Sequence, residues 1–485
     1  MARGTRLSGL DTSFLHLERD GTHMHVAACS VFSGQAPSHD ELMSAIESRL
    51  HLVPRYRQRL AYVPLGQGRP VWVDDPHFNI SYHVRHTALP APGDEDQLRR
   101  LTGRVFSQAL DRSKPLWELW LVEGLDDDRF AILSKTHHAL VDGVSGVDIL
   151  TVLFDTSPDP APVAPEEPEW APAPLPSDAQ LLADALLARA TVPAEIVRGI
   201  RAVLRGPRTM ARRVGEAAAG VGALAGVGLR PAPDSPFNCQ VGPHRRFTWL
   251  QGDLNEFKAV KNALGGTVND VVLAVVAGAL GRFMRLRGEE TDDVVLRAMV
   301  PVSVRADVEQ GALGNRVAAM WAPLPVGIVD PEERLRSISV AMSALKESGQ
   351  AVGAQVLTAL SGFAPATIIS QAARLQASQR MFNLVVTNVP GPQFPLYVLG
   401  RELQAIFPMV PLAKNTALGV AIMSYNGQLN FGLSADYDAL PDLEILVDEL
   451  RGAMEEIAAV SRSPLVRPRR AGRVKGRSRA TPATR

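Results

Sequence analysis

Two adjacent histidines, His137 and His138, stand in the stretch SKTHHALVDGVSG between two apolar runs, with Asp142 four residues after the second and Gly143 beside it. Three chemistries use such residues. A zinc site needs several ligands converging on one point. Neighbouring histidines at the end of a strand point to opposite faces, and no third ligand follows at a recognisable spacing, so no metal is expected. A serine hydrolase presents its nucleophile on a sharp strand-to-helix turn, yet the chain contains no GxSxG. There remains acid–base work. Histidine has an unperturbed pKa of about 6.5 and can take a proton from a substrate hydroxyl and give it back. One imidazole of the pair then faces a cavity and the other belongs to the packing.

The elements around the pair are set by pattern. RFAILSKT reads as a strand that runs straight into the histidines. Beyond them Asp142 can cap a helix whose apolar face is Val144, Val147, Ile149 and Leu150, giving strand, tight loop, helix. VAACSVF and WELWLVEGL read as further strands, and HDELMSAIESRL as a capped helix. The mixture of proline, alanine and acids from Asp155 to Pro176 cannot form a regular element and predicts a semi-rigid extended connector. Helical spacing follows it from Leu181, and a weaker apolar stretch runs from Val214 to Leu229, too short for a membrane span. The second half predicts a strand at RRFTWL, a helix at LNEFKAVKNAL ended by Gly265 and Gly266, and a helix from Val268. Strands follow at VVLRAMVPVSV and NRVAAMWAPLPV.

Composition bounds the class. With 485 residues, 46% hydrophobic and 21% charged, the chain can build two large core-bearing domains. Cys29 and Cys239 cannot make a disulfide framework, which favours a reducing compartment, and no secretory leader is visible, so a cytoplasmic location is expected. The formal charge of zero hides an asymmetry. From Arg462 to Arg485 there are nine Lys/Arg and no acids, which leaves 42 basic against 51 acidic residues, or minus nine, on the body. This tail predicts disorder and attraction to an anionic lipid surface; without aromatic residues among the basics, no nucleic acid is expected.

His137, His138, Asp142 and Gly143 spell HHxxxDG, which resembles the signature of the CoA-dependent acyltransferase superfamily. PLW at Pro115 to Trp117, TVNDVVLAVVAGAL from Thr267, TNVPGP from Thr387 and the opening LSGLDTSFLHLE and THMHVAACSVF are similar to the bacterial wax ester synthase/diacylglycerol acyltransferase family. The resemblance implies an α/β fold of two similar chloramphenicol-acetyltransferase-like lobes, with mixed sheets flanked by helices, a crossover between them and an active-site tunnel at their junction. The ranges expected are 1–155 for the first lobe, 156–235 for the connector and crossover, 236–461 for the second lobe and 462–485 for the tail. It implies acyl-CoA as donor, diacylglycerol or a long-chain alcohol as acceptor, and no cofactor. Contact with an anionic membrane or lipid droplet from the cytoplasmic side follows from the same substrates. A carrier-protein thioester serving a polyketide or peptide acceptor, or a non-catalytic lipid-binding role, is the alternative.

The resemblance assigns the general base to His138 and leaves His137 to the packing. Asn269, in the first turn of its helix, can donate to a developing oxyanion or orient substrate, or it can share with Asp270 the plain task of capping. In the superfamily the motif aspartate turns away from the histidine and pairs with an arginine, which implies an architectural role for Asp142 with Arg305 as its candidate partner. Trp117 is expected to supply core area, and Pro390, Gly391 and Pro392 to enforce a turn after NLVVT.

Overall fold

Near-continuous apolar runs such as VAACSVF and RFAILSKT suit strands covered on both faces. The computed structural model places them in the middle of a sheet; it describes residues 4–18, 21–141, 152–160, 170–188, 231–303, 317–347 and 380–462. In the first half the chain runs through β1 (Thr5–Arg6), α1 (Gly9–Leu17), β2 (His25–Ser33), α2 (His39–Glu47), β3 (Gln58–Ala61) and β4 (Val71–Asp74). It continues with α3 (Ile80–His83), β5 (Val84–Ala88), α4 (Glu95–Ser107), β6 (Trp117–Leu125), β7 (Arg129–His137) and α5 (His138–Val141). Both α1 and α2 start on a capping box, Ser8 with Asp11 and Ser38 with Glu41, in which side chain and main chain satisfy each other's free N–H groups.

The second half comprises β8 (Arg245–Asp253), α6 (Leu254–Leu264), α7 (Val268–Leu286), β9 (Val295–Ser303), β10 (Val317–Pro325) and α8 (Pro331–Glu347). After these come β11 (Leu384–Pro390), β12 (Tyr397–Val398), β13 (Arg401–Met409), β14 (Leu418–Tyr425), β15 (Gln428–Asp436) and α9 (Leu443–Arg462). The predicted stop after α6 is real: Gly265 and Gly266 sit at φ +96° and +83°, where a side chain would be strained. Helix α7 is apolar on nearly every face because it is enclosed, with α8, α9 and the sheet packed around it. Among the described residues no single helix is long and apolar enough to cross a membrane; α6 and α7 together reach the length but meet at a 99° bend.

Two mixed six-stranded sheets result. The first has the order β12-β13-β2-β7-β6-β5 and the second β10-β9-β11-β14-β15-β8, while β1, β4 and β3 form a small antiparallel sheet beside the first. Each large sheet has its own core, one around Trp117 and Phe130, the other around α7. The described part of the connector lies on the small sheet: Trp170 stacks under the Arg57 guanidinium, 4.5 Å from the ring centroid, and the Ala173 N–H donates to Asp74 at 3.0 Å. Most of the predicted crossover, 189–230, lies outside the described residues.

Strand β13 corrects the simplest division of the chain. It falls inside the 236–461 range, yet it pairs antiparallel with β2 and so completes the first sheet. Its other side presses on the second sheet, where Phe407 stacks on Trp249 of β8 at 4.8 Å. A third apolar cluster shared by β2, α4, β8 and β13 fills this junction. The crossing strand comes so close to β15 that a Cβ on Gly432 would run into the carbonyl oxygen of Pro408. Gly432→Ala must therefore push the sheets apart, and the expected cost is about 1–3 kcal/mol, typical of overpacking. Urea denaturation measures it; a wild-type midpoint would contradict this account of the junction.

Candidate active site at the end of strand β7

The histidine pair sits where β7 stops and α5 starts, and the main chain is pinned from both sides. His137 pairs across the sheet with His25 of β2. Its N–H donates to the carbonyl of Leu116 at 2.9 Å, and the N–H of His138 donates to the carbonyl of Met24 at 2.8 Å. The PLW segment and the THMH segment thus grip the HH step between them. Trp117, fully buried, is locked in turn: its Nε1 donates to the Tyr56 carbonyl at 2.8 Å and its ring stacks on His83 at 4.6 Å. Two residues before His137, the buried Lys135 ammonium donates to the carbonyls of Val105 and Gln108 at 3.1 and 3.0 Å and lies 3.3 Å from Glu118, tying β7 to the end of α4.

The two rings have different fates. His137 is wholly buried, and its Nδ1 accepts the N–H of Ala139 at 3.0 Å. A main-chain N–H can only donate, so Nδ1 carries no proton and Nε2 does. Nε2–H then donates to Glu18 Oε2 at 3.2 Å. Both nitrogens of His137 are committed. Arg112 also binds Glu18 Oε2 and donates to the Leu15 carbonyl at 3.1 Å, so the carboxylate of the residue that ends α1 is held by a cation and an imidazole at once. Burial alone would raise its pKa, but contacts with His137, His23 and His25 prevail and hold Glu18 far below the usual carboxylate range.

His138 keeps some accessible surface. Phe14, also from α1, stacks on its ring with centroids 4.0 Å apart and planes 24° from parallel. Burial pushes its pKa down to about 4; its own backbone carbonyl and the Asp11 carboxylate pull the other way without overcoming the loss of solvent. The ring is therefore neutral near pH 7. Asp11, Phe14 and Glu18 are spaced as one face of a helix, and from that face α1 reaches both histidines. None of the three was singled out for chemistry in the sequence, although the spacing within LDTSFLHLE was a readable signal. Arg112, brought in across 94 residues, gave none.

The other predicted residues are less closely gathered. Asn269 lies half-buried in the first turn of α7, and no hydrogen bond joins it to either histidine among the described residues. Asp270 completes a capping box with Thr267, its Oδ2 accepting the Thr267 N–H at 2.8 Å. Asp142, Gly143 and Arg305 lie outside the described residues. The strand does not turn after NLVVT as expected: β11 runs on through Pro390, which pairs with Ser424, and Gly391 passes so close to the Ser424 carbonyl that a side chain would collide. A groove of about 500 Å³ lined by Ser33, Gln35, Tyr397 and Arg401 opens at the opposite end of β2 from His25 and has no part in this geometry.

Comparison with known proteins places this arrangement. A model of the wax ester synthase/diacylglycerol acyltransferase catalytic domain matches residues 7–272, and one of the C-terminal domain of the same family matches residues 313–458. A relative described as a probable diacylglycerol O-acyltransferase of Mycobacterium tuberculosis (strain H37Rv) is 33% identical, over 96% of this chain and 98% of its own length. The solved wax ester synthase/diacylglycerol acyltransferase of Marinobacter aquaeolei VT8 is 28% identical, with a TM-score of 0.65 and coverage of 94% of this chain and 100% of that one. The starter condensation domain of rhizomide synthetase shares the fold at 15% identity, with a TM-score of 0.59 over 96% of both chains. The fold and site define a two-lobed acyltransferase, as the HHxxxDG resemblance implied. This chain belongs to the wax ester synthase/diacylglycerol acyltransferase family.

Burial of neutral imidazoles has a consequence for stability. His138 and His83 both fall from 6.5 to about 4 in the folded protein, chiefly through burial. Between those values the unfolded chain binds protons that the folded chain refuses, so stability falls as pH drops from 6.5 towards 4. Denaturation midpoints at pH 7.5 and pH 5 test this; a midpoint that rises on acidification would contradict the assignment.

Proposed function

We propose that this chain makes an ester directly from acyl-CoA and the hydroxyl of diacylglycerol or a long-chain alcohol, with His138 as general base. The observation that carries the assignment is the contrast between the rings. His137 has spent both nitrogens on Ala139 and Glu18, whereas His138 is neutral and still accessible. His138, neutral near pH 7, is the imidazole that takes the proton of the acceptor hydroxyl, through Nε2. The alcohol oxygen attacks the thioester carbonyl as Nε2 takes its proton; collapse of the tetrahedral intermediate breaks the C–S bond, and the proton returns to the CoA sulfur. No acyl-enzyme and no cofactor are required. Asn269 serves as the donor to the oxyanion, and an Asp142 to Arg305 pair holds the loop behind the histidine. Long apolar substrates and the cationic tail support working at an anionic membrane or lipid-droplet surface on the cytoplasmic side.

His138→Ala is expected to lower kcat by about 10²–10⁴ with the melting temperature preserved. His137→Ala should act the opposite way, lowering stability first, because Glu18 and Arg112 lose a partner. The assay is purified protein with labelled palmitoyl-CoA and either dioleoylglycerol or hexadecanol; wild-type turnover in folded His138→Ala would refute the mechanism. Truncation after Ser461 is expected to weaken sedimentation with anionic liposomes, in a salt-sensitive way, and to spare activity on detergent-solubilised acceptor. Unchanged liposome binding would remove the tail from the surface contact.

A further inference from the structure

The Glu18 carboxylate has a second oxygen that the acyl-transfer step does not use. Oε2 is occupied by Arg112 and His137. Oε1 faces the other way, 3.7 Å from His23 Nδ1 and 3.5 Å from His25 Nε2. His23 and His25 are alternate residues at the entry to β2, so period two puts them on one side of the chain, and their rings stack at 5.2 Å, 9° from parallel. The three donor atoms all lie within 4.8 Å of one another. His25 is fully buried, and neither of its ring nitrogens has a hydrogen-bond partner. Buried polar groups are paired in the great majority of cases, so an orphaned imidazole aimed at a carboxylate and a second imidazole calls for a ligand.

We propose that Glu18, His23 and His25 form a binding site for a divalent transition-metal ion of the zinc class. Two imidazoles and one carboxylate are a donor set that zinc takes at about 2.0–2.2 Å, for which tetrahedral geometry sets ligand-to-ligand edges of roughly 3.3–3.5 Å. The two separations to Oε1 are within a few tenths of an ångström of that, and the two ring nitrogens lie within 4.8 Å of each other. Arg112 and His137 fix the second carboxylate oxygen, which presents Oε1 as a single donor and orients it, as outer hydrogen bonds do for metal ligands. The same guanidinium selects among ions. A hard cation such as Mg²⁺ relies on several oxygens and on negative charge, and here it meets one carboxylate already shared with a cation. An ion with affinity for imidazole nitrogen gains two such donors regardless. His23 is the more accessible ligand and marks the side of entry.

Chelator-stripped full-length protein is titrated with Zn²⁺ by calorimetry, alongside His23→Gln and, as a control on the exposed surface, His77→Gln. One saturable equivalent is expected for wild type and for His77→Gln, unaffected by excess Mg²⁺, with affinity at least about tenfold weaker in His23→Gln. His23→Cys exchanges one zinc ligand for another and is expected to retain the ion; with Co²⁺ it gains a thiolate-to-metal charge-transfer band that wild type lacks. Absence of saturable binding in wild type, equal binding in His23→Gln, displacement by Mg²⁺ or a His23→Cys variant without that band would each overturn the site.

Discussion

A buried carboxylate must be paid for in partners, and the way Glu18 meets that demand organises the whole site. Removing such a charge from water costs several kcal/mol unless cations and donors surround it. Arg112 and His137 supply them on one oxygen. The same contacts fix the end of α1 against the end of β7, and they freeze His137 in one tautomer with no lone pair to spare. Once α1 is anchored there, Phe14 is delivered one turn earlier onto the face of His138. One ion pair therefore sets the position of one imidazole and, through the helix, the plane of the other.

That anchoring is useful only if β7 itself is rigid, and its rigidity comes from the far half of the chain. β7 lies inside a sheet whose next strand but one, β13, arrives from residues 401–409. β13 is clamped between β2 and the second sheet by the Phe407 to Trp249 stack and by the close approach at Gly432. Arg245 adds a polar tie at the same junction, donating to the Gly21 carbonyl just before the His23 to His25 segment and to Gly242 at 2.7 Å. The two lobes are thus not merely joined by a connector: the sheet that carries the histidines is incomplete without a strand of the other lobe.

Local patterns in the sequence carried most of this. The strand running into His137, the caps of α2 and α7, the glycine stop after α6 and the buried tryptophan of PLW are all consequences of residues within a few positions of one another. What was not legible depends on contacts distant in sequence. Arg112 reaches Glu18 only because the fold brings the segment between α4 and β6 against the end of α1, and nothing in RELQAIF distinguishes a strand of the first sheet from one of the second. Around His137 and His138 no third ligand was found; the three-donor cluster lies across the strand pair, where His25 faces His137 and Glu18 stands between helix and sheet.

The low pKa of His138 looks at first like a poor choice for a base. A conjugate acid near 4 in place of 6.5 makes the imidazole a weaker acceptor of the hydroxyl proton. Two features of the proposed reaction turn this around. The ring is unprotonated near pH 7, so almost none of it is lost to the charged form. The proton it takes is also held only briefly, because it must be handed to the departing sulfur, and the weaker base is the stronger acid for that second transfer. Phe14 contributes by covering one face of the ring, while the residue as a whole keeps some accessible surface. The desolvation that depresses the pKa and the access that makes His138 usable then have a common origin: a ring covered on its face by α1 and held at its backbone by Met24.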